Sequence, residues 1–295
     1  MKKKNGIVTR ITAADVFIRA FFVIFTAITI YPIYYVSVGS FNQGQDFIKG
    51  GIYLFPRVFS LDNYVYVLSY APLWRGFGIT VARTVLGTVL HVLCTSGVAY
   101  AMGRSVLRFK SFYYWFSIFT MFFGGGIVPY FLLIKVTGLY NTFWVYVIPG
   151  LYSVYDMIVV SQFMKGIPFE LREAAEIEGA GEYRILFTIM LPMSAPILAT
   201  VALWSVAGHW NSYIDTMYYA PRQELWTLQY VLKQMINATG VAGGGGIVTE
   251  EMLEKLSSAT VSYAAIVIAT IPVLIVYPFL SKYFEGGYMI GSLKG

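Results

Sequence analysis

Few residues of this chain can do chemistry, and those that can sit in apolar surroundings. Arg83, His91 and Asp156 lie inside long apolar runs, and the stretch LWSVAGHWNSYIDTMYY (Leu203–Tyr219) gathers Trp204, His209, Trp210, Asn211, Tyr213 and Asp215. Flat aromatic faces beside hydrogen-bonding groups suit a sugar, whose C–H faces stack on rings while its hydroxyls need donors and acceptors. An aromatic belt at a membrane surface accounts for the same tryptophans and tyrosines, but a belt needs neither His209 nor Asn211. A proton-driven carrier would need titratable groups along its route, and Asp156, Asp215 and His91 are the candidates. Arg83 reads as a residue near the outer end of its run that snorkels to the surface. Asp156 is expected to pair, with Arg83 or with a partner helix, and His91 to be packed and hydrogen-bonded.

Several catalysts are excluded. No Gly-x-x-x-x-Gly-Lys-Ser/Thr phosphate loop is present, and the tetraglycine Gly243–Gly246 is not followed by Lys. The HExxH zinc pair is missing, as is any close pair of intramembrane acids, so no hydrolytic set is visible. The single cysteine, Cys94, lies in an apolar run and offers neither a disulfide framework nor a metal cluster. No metal site is expected.

The elements that must position these residues are apolar and long. With 57% hydrophobic and 12% charged residues and a mean hydropathy of +0.64, the chain cannot cover a water-soluble globule. An all-α integral membrane protein is expected, with spans at about 16–38, 77–102, 112–134, 143–163, 195–213 and 261–280, each long enough for ~20 helical residues. The run from Val16 to Val38 is too long for a signal-peptide core and reads as a retained first span. Outside the spans, twelve Lys and Arg fall on the side of the N-terminus and seven on the other, although the loops of the second side are far longer. Both termini are therefore expected in the cytoplasm, and the net charge of +6 marks membrane orientation rather than nucleic-acid binding.

Two interruptions stand out. FFGGGIVPY (Phe122–Tyr130) breaks the third run; bare backbone at membrane depth needs protein or a watery cavity beside it, so Gly124, Gly125 and Gly126 are expected to face the bundle interior, on the solute pathway or in a tight helix crossing. The other is polar: PFELREAAEIEGAGEYRILFTIMLPMSAP (Pro168–Pro196) reads as two short helices. Pro168 precedes the first, Gly179 and Gly181 allow a sharp turn, and Pro192 stops the second. Ala174, Ala175, Gly179 and Ala180, flanked by Glu173, Glu176 and Glu178, form a nearly bare surface that suits docking into a groove.

EAAEIEGA (Glu173–Ala180) followed by Ile189, Leu191 and Pro192 resembles the EAA loop of the permease subunits of bacterial ABC importers. Glu178 stands where sugar permeases more often have Asp, and Leu186 where Phe is common. AYAMGR (Ala99–Arg104) is similar to the cytoplasmic end of the second helix of sugar permeases, and the glycine-rich third run resembles a segment of permeases for complex oligosaccharides.

The resemblance covers most of the chain and implies a MetI-like core of six helices, closest to the MalG-like carbohydrate permeases. Its single permease domain spans residues 1–295, with a cytoplasmic coupling loop at 164–194 and an outer loop at 220–260. By that resemblance Glu173, Ala174, Ala175, Glu178, Gly179, Ala180, Ile189, Leu191 and Pro192 dock into an ATPase. Trp204, His209, Trp210, Asn211 and Tyr213, with Gly124–Gly126, are the pathway candidates, and Gly243, Gly244, Gly245 and Gly246 are the candidate contact with a binding protein. The implied partners are two ATPase subunits holding ATP and Mg, a second and different homologous permease, an extracytoplasmic solute-binding protein, an oligosaccharide or polysaccharide fragment such as an acidic alginate oligomer, and membrane lipid. This chain itself is expected to carry no cofactor and no enzymatic activity, to sit in the bacterial plasma membrane, and to work by alternating access. A permease for peptides would share the EAA loop, and a proton-coupled carrier would leave that loop without a purpose.

Overall fold

Ala13–Ser40 folds as α1, a 28-residue helix with Pro32 inside it. None of its most apolar 18-residue window is buried, so its side chains are left for lipid or another chain. The computed structural model describes residues 13–104, 107–237 and 255–291, with α-helix dominant and a single isolated β-bridge, Asn42 to Phe59, among them. The chain divides into two compact units, one of residues 13–67 and 255–267, the other of 68–104, 107–237 and 268–291.

The first unit holds α1, the short helix α2 (Gly44–Ile48), the loop that follows, and the start of α3 (Asp62–Ser69). Asn63 is its clasp. Its Nδ2 donates to the carbonyls of Ser40 and Asn42, both at 2.9 Å, and its Oδ1 accepts from Thr260 Oγ1 at 2.8 Å. Within the loop, Arg57 Nε donates to both oxygens of the buried Asp46 carboxylate, at 2.9 and 3.0 Å. The backbone just before the last helix packs tightly here: a Cβ on Gly44 would lie 2.2 Å from the Ser257 nitrogen, so no side chain fits.

The second unit is built around α4 (Ala71–Gly103), a 33-residue helix. In chain order it continues with α5 (Lys110–Phe122), α6 (Ile127–Val136), two 3-10 turns (Phe143–Tyr146 and Ile148–Gly150), α7 (Val154–Lys165) and α8 (Phe169–Ile177). Then follow α9 (Glu182–Met193), α10 (Ala195–Asn211), α11 (Ile214–Tyr219) and α12 (Leu228–Asn237). The last helix, α13 (Ser258–Gly291), contributes residues to each unit. Helices α7, α10 and α12 pack on α4. Helix α12 is amphipathic and buries Leu228, Val231 and Leu232.

The first, second and sixth apolar runs fold as continuous helices, the third and fourth as bent pairs, and the fifth as α10, which meets α9 at a bend. A straight crossing over 112–134 is not formed: α5 and α6 meet at 118° across Phe123–Gly126, where Gly126 holds φ +86°. Neither arm alone reaches the ~20 residues a bilayer needs. The fourth run begins in 3-10 turns and becomes α-helical only at Val154, since Pro149 has no N–H to offer an α ladder. Nor does Pro192 end its helix. The backbone widens into a π turn over Leu186–Met190, continues through Pro192 to Met193, and bends by 82° into α10.

Candidate docking hairpin and polar cavity

The hairpin of α8 and α9 is turned by Gly179 at φ +81°. The Ala180 N–H donates to the Ala175 carbonyl at 2.9 Å and the Gly179 N–H to the Glu176 carbonyl at 3.0 Å, the paired bonds of a Schellman cap. Gly181 has an ordinary extended backbone (φ −73°, ψ 163°), so only Gly179 is needed as glycine for the turn.

Three of the residues expected on the docking surface face the other way. Ala175 and Ala180, with Leu191, pack against a core of Ala99, Tyr100 and Met102 from α4, Met157, Val160 and Met164 from α7, and Ile185, Leu186 and Met190 from α9. Successive helical residues differ by about 100°, so Ala174 and Ala175 cannot share a face. Glu173, Ala174, Glu178, Gly179 and Pro192 are exposed, and Ile189 is half-buried. The outward face also carries Ile177 and Tyr183, 81% and 83% exposed, which the bare-surface reading missed. An apolar residue set between Glu176 and Glu178 was the available signal.

Arg104, at the end of α4, ties the hairpin down. Its Nη1 donates to Glu176 Oε1 of α8 at 3.0 Å and its Nη2 to Glu182 Oε1 of α9. Arg172 Nε adds a second bond to Glu176 Oε1 at 2.9 Å, and the Tyr100 hydroxyl donates to Glu182 Oε2. From the sequence, Arg104 is an orientation charge and the last residue of AYAMGR, with no partner assigned.

The second site is a cavity of about 390 Å³ in the same unit, walled by α4, α6, α7, α10, α11 and the 3-10 turns. Arg83 does not snorkel: it is 2% exposed, its Nη2 lies 2.7 Å from Asp215 Oδ2, and its guanidinium sits 4.5 Å over the Tyr146 ring. Ser212 Oγ also donates to Asp215 Oδ2, at 2.9 Å. The other carboxylate, Asp156, pairs not with Arg83 but with His91, whose Nε2 is 2.9 Å from Asp156 Oδ2 and whose Nδ1 is 2.7 Å from the Gly150 carbonyl. His91 is packed and hydrogen-bonded, as its position suggested.

Of the pathway candidates, Trp204 and His209 line this cavity, beside Tyr130, Tyr219, Ser205 and Ser212. Trp210 does not: it is buried, donates Nε1–H to the Ala269 carbonyl at 3.2 Å and meets Phe77 edge-on. Asn211 is exposed outside the lining, and the Tyr213 ring is covered by Lys233 Nζ at 4.0 Å. Gly124, Gly125 and Gly126 are exposed and do not face the interior of this chain's own bundle. The break they make turns α6 back so that Tyr130 reaches the cavity. Gly243–Gly246 lie outside the described residues. Among the described residues no group of His, Cys, Asp and Glu could hold a metal ion, and Cys94 is a free, exposed thiol.

The arrangement offers charge pairs, hydroxyls, two imidazoles and four other aromatic rings around a space fit for a small polar solute, and a separate exposed hairpin fit for docking. A family model described as "Binding-protein-dependent transport system inner membrane component" matches residues 96–289. Protein LplC of Bacillus subtilis (strain 168) is 34% identical over 269 residues, covering 91% of this chain and 90% of that protein. The polygalacturonan/rhamnogalacturonan transport system permease protein YtcP of the same organism is 33% identical over 287 residues, covering 95% and 98%. Among solved structures, a chain of a bacterial ABC transporter involved in the import of the acidic polysaccharide alginate superposes with a TM-score of 0.83 at 28% identity, covering 95% of this chain and 100% of that one.

Proposed function

Given that this chain belongs to the binding-protein-dependent transport system inner membrane components, the non-enzymatic permease subunits of ABC importers, we propose that it moves oligosaccharides or polysaccharide fragments by alternating access. The observation that carries the solute class is the cavity. Trp204, Tyr130 and Tyr219 supply aromatic rings, while His209, Ser205 and Ser212 supply hydrogen-bonding groups around the same space. The name of the relative YtcP, a polygalacturonan/rhamnogalacturonan transport system permease protein, and the description of the alginate importer support the same class.

In this reading the outward face of the hairpin, Glu173, Ala174, Ile177, Glu178, Gly179 and Pro192, docks into an ATPase subunit. Ile177 and Tyr183 are the apolar anchors of the contact, since large exposed side chains at the centre of a polar patch make the strongest contributions when covered. Two such ATPases, which hold ATP and Mg, drive this chain and a second, homologous permease, and a binding protein delivers solute on the outer side, where Gly243–Gly246 is the proposed contact. The hairpin and both termini then lie in the cytoplasm, and the chain works as one permease domain in the plasma membrane.

Co-purification in mild detergent, followed by uptake in liposomes, tests this. The chain should bring an ATPase and a different permease, and ATP should drive uptake of labelled oligogalacturonate or alginate oligomer but not of a peptide of equal charge. Uptake of the peptide alone would overturn the solute class, and uptake driven by a pH gradient by the solitary chain would overturn the ABC reading.

A further inference from the structure

Helix α4 joins the two sites. It has no proline beyond Pro72, carries Arg83 and His91 at the cavity, and is followed directly by Arg104 at the hairpin. From His91 to Arg104 the rise is roughly 20 Å along one helix. The hairpin's own chain connections are corners. From α7 to α8 the backbone passes through Gly166 and Pro168, and from α9 to α10 it bends by 82°. Corners of this kind absorb a push as local bending. Besides the Tyr100 hydroxyl, which reaches Glu182 on one arm, the polar tie to α4 is the Arg104 guanidinium, which reaches one carboxylate on each arm of the hairpin. A planar fork can hold two carboxylates at once, whereas a lysine ammonium on a flexible stem holds one well.

We infer that Arg104 is a positioning residue for energy coupling: by gripping Glu176 of α8 and Glu182 of α9 together, it makes the hairpin move as one body with α4 and so with the cavity lined by Arg83 and His91. The inference rests on the proposed reading of the hairpin as the ATPase dock. Glu176 and Glu182 are 38% and 49% exposed, so each pair adds little to folding. The hairpin's attachment to the unit comes from the apolar core beneath it. Arg104 therefore governs rigidity more than stability.

The test uses the complete importer in liposomes, measuring solute taken up per ATP hydrolysed. Arg104→Gln should assemble normally yet lower that ratio by about tenfold, within the usual range of allosteric coupling. Arg104→Lys should fall between Gln and the native residue. Glu176→Gln and Glu182→Gln should each reproduce part of the loss and add less than their single effects to Arg104→Gln, because they share the Arg104 tie while also carrying bonds from Arg172 and Tyr100. A native ratio in Arg104→Gln, or losses that simply add, would overturn the inference.

A second measurement does not depend on an ATPase. Spin labels at Val98 and Thr188, in a Cys94→Ser background, should report a narrow distance distribution that broadens in Arg104→Gln. An unchanged width overturns the tie itself, whereas failure of the native chain to recruit any ATPase overturns only the docking reading.

Discussion

Gly87 of α4 has no side chain where the His209 imidazole of α10 lies: a Cβ at Gly87 would stand 2.4 Å from His209 Nε2 and 2.6 Å from Cε1. Helices α4 and α10 can therefore approach closely enough to close one wall of the cavity, as small residues allow in membrane bundles. The notch also fixes which way the imidazole points.

Gly87→Ala should displace the His209 ring and destabilise the detergent-solubilised protein by about 1–3 kcal/mol, the usual cost of overpacking. Gly87→Ala combined with His209→Ala should regain most of the melting temperature but not the solute affinity. Equal recovery of both would mean that the ring serves packing alone.

Gly179 separates backbone strain from docking. Nothing lies within 4 Å of a Cβ built there, so a side chain meets only the cost of φ +81°. That cost is roughly 1–2 kcal/mol for most residues and smaller for Asn. Gly179→Asn should keep the fold and still impair ATP-driven uptake, because it puts bulk on the docking face. Gly179→Asp should behave likewise. Wild-type uptake in both variants would remove Gly179 from the contact.

Ile177→Ala and Tyr183→Ala should leave the unfolding free energy within about 0.5 kcal/mol of native, since both side chains are exposed. Each should weaken recovery of the ATPase in a pull-down, with Ile177→Asp the strongest. Unchanged recovery for all three would place the contact elsewhere on the hairpin.

Arg83 and Asp215 form the most buried cation of the unit and a carboxylate that is 35% exposed. Asp215→Ala strands the guanidinium, at a cost of about 2 kcal/mol or more, below the ~3–5 of a fully buried pair because water reaches Asp215. Restoring an anion with Asp215→Glu should recover part of it. A native unfolding midpoint in Asp215→Ala would show that Tyr146 and Ser212 suffice for Arg83.

Asp46 gives the first unit a pH response. The hydrogen bonds from Arg57 hold its carboxyl below the ordinary value of 3.8. A depressed pKa contributes stability that is complete above 3.8 and lost as pH falls from there through the folded value. Amide exchange in residues 42–60 should quicken over that acid window in the native protein, and Asp46→Asn should show fast exchange already at neutral pH with no such step.

The sequence alone determined the class, the location of the apolar runs and the hairpin. Composition and run length act one residue at a time, and the EAA spacing lies within one local segment, so neither needs a partner from elsewhere in the chain. What tertiary structure decided is which distant groups meet. Asp156 found His91 and Asp215 found Arg83, although the sequence equally allowed Asp156 to take Arg83. Trp210, six residues from Trp204 along the same helix, is buried outside the cavity lining because the side chain's direction follows the packing of α10 against its neighbours. Arg104 looked like one more basic residue at a membrane edge until α8 and α9 brought two carboxylates to it. Long-range pairing depends on how helices bend and cross, and the 118° and 82° corners come from glycine and proline in a packed context that local spacing does not encode.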